Sequence, residues 1–202
     1  MEAHMNEGKA KVLSDSEFKR LIRITATERH GKRNVALLMM SYGLGLRVAE
    51  LSTLVIGDVM ADDGCIKDHF QITKANAKNN KNREVFLSNP KVCKAINEYL
   101  TERRQNDSIA ISSGSPLFRS QKGSRFTAHS LQMTMKAIYR RAGMPETVSS
   151  HSGRRTFATK LISRGTDIKT VQTLMGHASI SQTAIYCEPN PETMRTATSN
   201  IL

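Results

Sequence analysis

Apolar positions recur with helical spacing along most of the chain and alternate in one short region. Ser14-Asp15-Ser16-Glu17 has the form of a capping box and opens a helix through about Thr27. The run Val35, Leu37, Leu38, Met39, Met40 predicts a second helix near 34–42. It ends at a Gly43/Gly45 break, because glycines reach the dihedrals that close one helix and let another begin nearby. An amphipathic helix follows near 47–54, with Leu51 and Leu54 facing inward. The period then changes. Residues 65–87 read as a small sheet region, with a strand at Phe70–Thr73, a polar Asn/Lys loop and a second strand at Arg83–Leu87.

Pro90 opens another helix that places Val92, Ile96 and Leu100 on one face. The Ser/Gly-rich segment 106–116 is a loop. Thr127 or Ser130 begins a helix to about Ala142, ended by Gly143 and Pro145. Further helices are expected at 151–164, 167–175 and 179–187, with a last short one after Pro191. The pattern is a mostly α-helical α+β domain with a small antiparallel β-sheet. The length of 202 residues suits one core, over 12–202, and residues 1–11 are polar, a linker or remnant.

Charge narrows the partners. Lys and Arg number 30 against 18 Asp and Glu, a formal net charge of +12 spread along the chain. Such an excess favours a polyanion through long-range attraction and counterion release, without choosing DNA over RNA or an anionic membrane. No stretch approaches the roughly 18 apolar residues of a spanning helix, and no signal-peptide pattern opens the chain. Cys65, Cys93 and Cys187 have neither paired nor metal-ligand spacing, so a reduced, cytoplasmic, metal-free and cofactor-free protein is expected.

Two clusters carry chemistry. From His151 the chain reads H-S-G-R-R-T-F-A-T, then L-M-G-H, then S-I-S-Q-T-A-I-Y, ending at Tyr186, nine positions after His177. These residues supply an oxygen nucleophile, a phosphate-gripping cation in Arg154 and proton-handling imidazoles, the parts of a phosphoryl-transfer site that needs no metal. Upstream, Gly45-Leu46-Arg47-Val48-Ala49-Glu50-Leu51 adds a second arginine, with Glu50 three residues on to orient its guanidinium. Taken singly, each has a plainer reading: a core tyrosine, surface histidines, a helix-surface ion pair.

Together, and in this order, the motifs resemble the tyrosine recombinase (phage integrase) family, from about Leu13 to Tyr186 and the short tail beyond. The resemblance implies the fold of that family's catalytic domain and an active site of Arg47, Lys78, His151, Arg154, His177 and Tyr186, supported by Glu50. The lysine follows from the family's hairpin, where it lies eight residues before a proline position held here by Phe86. Lys74 and Lys81 compete for that role. With Arg83 and Arg155 they are also candidates for binding DNA.

The implied reaction is site-specific recombination of double-stranded DNA. Tyr186 attacks the phosphorus to give a 3′-phosphotyrosine and a 5′ hydroxyl. Arg47 and Arg154 hold the nonbridging oxygens with His177, His151 accepts the tyrosine proton and Lys78 protonates the leaving oxygen. The implied protein is bacterial or phage-encoded and nucleoid-associated, a monomer that assembles into a tetramer on DNA. Its tail after Tyr186 either docks on a neighbouring subunit or folds back. A type IB topoisomerase, or a catalytically idle DNA-binding regulator of the same fold, are the other readings.

Two departures from the family stand out. No separate N-terminal core-binding domain precedes residue 12, as in the short members that invert fimbrial switches or in a longer chain cut there. Ser152-Gly153 replaces the usual Asp-Leu, so an inward glycine is expected to leave space and to weaken the helix by about 1 kcal/mol relative to alanine.

Overall fold

The structure, a computed structural model, describes residues 10–73, 82–107 and 111–187, together with 195, 198 and 199. Helix α1 (Asp15–Ala26) begins at the expected box. The Glu17 amide donates to the Ser14 hydroxyl at 3.2 Å, and the Ser14 amide donates to the Glu17 carboxylate at 2.9 Å. Helix α2 (Gly31–Leu44) is packed on several sides, against α1, α5 (Pro90–Asn106) and α7 (Ser152–Ser163). Its buried residues therefore run round the helix and do not form one stripe, among them Ala36, Leu37, Leu38, Met40, Ser41 and Leu44.

Short helices α3 (Val48–Thr53) and α4 (Ile56–Val59) lead into strands β1 (His69–Ile72) and β2 (Arg83–Phe86). The strands pair antiparallel, from His69 opposite Phe86 to Ile72 opposite Arg83. Helices α6 (Ala128–Arg141), α8 (Ile168–Met175) and α9 (Ser181–Ala184) complete the mostly helical α+β domain. One apolar cluster joins α2 to α3, α4, the hairpin and α5, and a second joins the other side of α2 to α1, α6, Leu13 and Val148. A third and smaller one, Ala158, Val171 and Met175 with Phe157, Leu161 and Tyr186, ties α7 to α8. Among the described residues no helix is long and apolar enough to cross a membrane.

Thr127 and Ser130 share the start of α6. The Ser130 amide donates to the Thr127 hydroxyl and the Thr127 amide to the Ser130 hydroxyl, so neither residue alone marks the boundary. The expected helix at 179–187 contracts to Ser181–Ala184, with no side-chain cap at Ile180 and Thr183 as its one buried residue. Helix α4 was not anticipated, being too short for periodicity to register. The hairpin loop that holds Lys74, Lys78 and Lys81 lies outside the described residues, as does most of the segment after Pro191.

Two glycines behave differently from expectation. Gly43 does not break α2. A Cβ there would sit 2.6 Å from Val92 Cγ2, so its lack of a side chain lets α5 approach, and Gly45, with φ 63°, is the residue that ends the helix. Gly153 leaves no space. A Cβ there would lie 2.2 Å from Ser41 Oγ and 3.0 Å from Tyr42 Cδ2, because α7 runs directly against α2. The small residue is required by close packing, which tightens this contact where sequence suggested a loose one. Gly153→Ala is therefore expected to destabilise the domain by about 1–3 kcal/mol in urea denaturation despite its gain in helix propensity. Ser41→Ala in the same chain should recover part of that loss.

Candidate active site

The positions from the two sequence clusters meet in one open cleft of about 890 Å³. Arg47, His151, Arg154, Arg155, His177 and Tyr186 all line it. The left-handed Gly45 turns the chain out of α2 so that Arg47 becomes the N-cap of α3. Glu50, 1% exposed, folds back on it. The Arg47 amide donates to one carboxylate oxygen at 2.7 Å and Arg47 Nη1 to the other at 2.9 Å. The ion pair read from sequence is thus buried on its acidic side.

Arg83 departs from its expected role. It is 8% exposed on β2, where Nη2 donates to Glu50 Oε2 at 2.6 Å and Nη1 to the Leu174 carbonyl at 2.8 Å. A guanidinium committed to a buried carboxylate and a helix end cannot also serve as a surface contact to DNA. Strand alternation carried the signal, because Arg83 shares the inward face of β2 with buried Val85 while Glu84 and Phe86 face out. Burial raises the Glu50 carboxyl, but Arg83, the Arg47 amide, and the Arg154 and Arg47 charges outweigh it and hold Glu50 below the usual carboxylate range.

Arg154 is 6% exposed on α7 and donates through Nη1 to the Gly45 carbonyl at 2.7 Å and through Nη2 to the Met175 carbonyl. Both acceptors lie at helix C-terminal ends, where the partial charge is negative. Burial and the nearby Arg47 push this guanidinium down to about 9, so it stays cationic at neutral pH. Among the described residues Arg47 and Arg83 pair with one carboxylate, Glu50, while Arg154 is held by carbonyls. The cleft floor keeps a surplus of positive charge.

His151 is the N-cap of α7 and exposed, while Arg155 on the next turn donates to the Ala10 carbonyl at 2.7 Å. His177 follows Gly176, whose φ of 59° ends α8. Its Nδ1 lies 2.8 Å from Thr183 Oγ1, and its ring stacks on Tyr186 with centroids 6.0 Å apart. Burial, then Arg154, Arg47 and Arg83, push His177 down to about 4, so the ring is neutral at neutral pH. Tyr186 is half-buried just beyond α9. Among the described residues no group of three or more His, Cys, Asp or Glu is placed to hold a metal ion.

A model of the phage integrase family matches residues 11–193, and the chain belongs to that family. It is similar to tyrosine recombinase XerD of Bifidobacterium longum, 35% identical over 191 residues that make up 91% of this chain and 59% of that protein. The crystal structure of XerA recombinase matches with a TM-score of 0.73 at 28% identity, over 96% of this chain and 65% of that one. The XerH site-specific recombinase, in a pre-cleavage complex with difH substrate, matches with a TM-score of 0.70 at 26% identity, over 99% and 57%. The chain therefore spans about three fifths of the length of these relatives.

Glu50→Ala is expected to destabilise the fold by about 3–5 kcal/mol, since it strands the buried Arg83 without its counter-ion. The double variant Glu50→Leu/Arg83→Met should lose less in urea denaturation than the two single losses added together. Simple additivity would show that the pair does not act as a unit.

Proposed function

We infer that this chain is the catalytic part of a site-specific DNA recombinase, one that cuts and rejoins strands through a covalent phosphotyrosine. The observation that carries the reading is the meeting of Tyr186 with Arg47, Arg154, His151 and His177 on one cationic cleft. XerH, of similar fold, was solved on its DNA substrate, which supports double-stranded DNA as the ligand here. The net charge of +12 supports it too. A DNA ligand supports association of a bacterial or phage-encoded protein with the nucleoid, and assembly into a tetramer on paired sites follows the same family reading.

The chemistry follows from residue types. The Tyr186 phenol oxygen forms a bond to phosphorus as the bond to the 5′ oxygen breaks, and the transition state gathers negative charge on the nonbridging oxygens. Arg47 and Arg154 answer that charge with guanidiniums already fixed in place, so little reorganisation is needed. Exposed His151 takes the phenol proton. Lys78 gives a proton to the departing 5′ oxygen. The phosphodiester energy stays in the tyrosyl ester, so the reverse attack by a new 5′ hydroxyl needs no nucleotide cofactor.

Incubation with a suicide DNA substrate is expected to give a protein–DNA adduct that survives boiling in detergent and forms undiminished in excess EDTA. Tyr186→Phe should abolish it while DNA binding remains. Binding without an adduct in the wild type would favour a DNA-binding regulator, and supercoil relaxation without recombinant product a topoisomerase.

The lysine is tested by changing the leaving group. A 5′ thiolate departs without a donated proton. Lys78→Ala is expected to cleave ordinary DNA poorly and to regain most of its rate on a 5′-phosphorothiolate substrate, whereas Arg47→Ala and Arg154→Ala stay about 10²–10³-fold slow on both. Sulfur rescue of Lys74→Ala or Lys81→Ala alone would move the role to that residue.

A further inference from the structure

Thr183 was not among the residues singled out from sequence, yet it touches the most ambiguous group in the cleft. Its side chain is fully buried on α9, and among the described residues its hydroxyl has one hydrogen-bond partner, His177 Nδ1 at 2.8 Å. Two other helical threonines turn their hydroxyls back on their own helix, Thr134 to the Ser130 carbonyl and Thr173 to the Lys169 carbonyl. Thr183 has no such bond.

We propose that Thr183 is a positioning residue that donates its hydroxyl proton to His177 Nδ1 and thereby fixes His177 as the Nε2–H tautomer, a hydrogen-bond donor into the cleft and not a base. The direction of the bond follows from burial. If Nδ1–H donated instead, the Thr183 proton would be left unpaired at a site with no water access, at about 1–3 kcal/mol. If Thr183 donates, both atoms are satisfied and the ring proton sits on Nε2, on the side of the imidazole away from Thr183. Nε2 has no hydrogen-bond partner among the described residues, and the ring lines the cleft. The neutrality of His177 makes the tautomer decisive, since a neutral imidazole has one donor nitrogen and one acceptor.

The same residue holds the nucleophile. The Thr183 carbonyl accepts from the Tyr186 amide at 3.0 Å, and Tyr186 stacks on His177. One threonine thus joins the donor and the attacking side chain through its two ends. Proton acceptance from Tyr186 then falls to His151, because the acceptor nitrogen of His177 is already occupied.

This proposal rests on the reading of the cleft as a strand-transfer site, but its first test does not. Nitrogen-15 NMR of the imidazole in the full chain without DNA is expected to show His177 with an unprotonated Nδ1 and a protonated Nε2. Thr183→Val, equal in shape but without the hydroxyl, should lose that fixed pattern, and Thr183→Ser should restore it. On suicide DNA, Thr183→Val is expected to form the adduct about 10–100-fold more slowly, with Thr183→Ser recovering the rate. The penalty should vanish, together with that of His177→Ala, for the stereoisomer of a methylphosphonate substrate that lacks the oxygen His177 contacts. A protonated Nδ1 in the wild type would overturn the assignment whatever the variants do. So would a Val variant with wild-type rate, or a Val penalty that persists on both stereoisomers. If the wild type formed no adduct, the strand-transfer reading would fall while the NMR pattern still decided the tautomer.

Discussion

A single buried carboxylate, shared by two guanidiniums, is the interaction on which the site depends. Glu50 is bonded to Arg47 on α3 and to Arg83 on β2, and Arg83 continues to the end of α8 through the Leu174 carbonyl. Three elements far apart in sequence are thereby locked at one point. An ion pair taken out of water seldom adds net stability, because desolvation offsets most of the attraction. Its effect here is geometric. Each end of the pair has a fixed partner, so Arg47 is held at the cleft wall before any anion arrives.

Arg154 is held by a different device. Two of its five N–H donors are taken by carbonyls at the ends of α2 and α8, beside Gly45 and Gly176. Both glycines are left-handed, and both are also pressed by neighbours. A Cβ on Gly45 would meet the Phe157 ring at 2.5 Å, and one on Gly176 the Arg83 stem at 2.6 Å. The two helix ends that anchor Arg154 are thus shaped by the residues that pack round the arginine network. Mutual repulsion among three cations is offset by one carboxylate and by helix ends, and what remains uncompensated is available to an anion.

Periodicity made the framework of this fold legible in the sequence. The box at Ser14 and Glu17, the proline start of α5 and the end of α2 at Gly45 are local signals, and the structure places them as read. The two motifs and the family resemblance they carry singled out Arg47, His151, Arg154, His177 and Tyr186, and the cleft brings these five together, while Lys78 lies outside the described residues. What escaped depends on contacts between distant segments. Gly153 looked like a gap until Ser41 and Tyr42 of α2 were placed against it. Arg83 looked like a surface cation because charge argued outward, although its alternation with Val85 argued inward. Thr183 gave no signal, since its partner lies six residues back across a helix end.

The two halves of the cleft are built with unequal rigidity. The arginines stand at α3, on β2 and on α7; α3 and β2 share one apolar cluster and are joined through Glu50, and α7 packs along α2. Tyr186 stands beyond a four-residue helix with one buried side chain, flanked by Ile180 and Ile185 that are 47% and 52% exposed. Few buried contacts mean a low free energy of local opening, so this segment belongs to the low-stability end of the domain. Its side chains are tied down, among the described residues, by the Thr183 hydroxyl on His177, the ring stack of Tyr186 on His177 and the packing of Tyr186 against the cluster of Ala158, Val171 and Met175. The cationic floor is therefore set by the fold itself, while the position of Tyr186 is set by a few contacts that a small rearrangement can make or break. On the proposed reading of Tyr186 as the nucleophile, control of cleavage can act on the position of this side chain without disturbing the cationic floor beneath it.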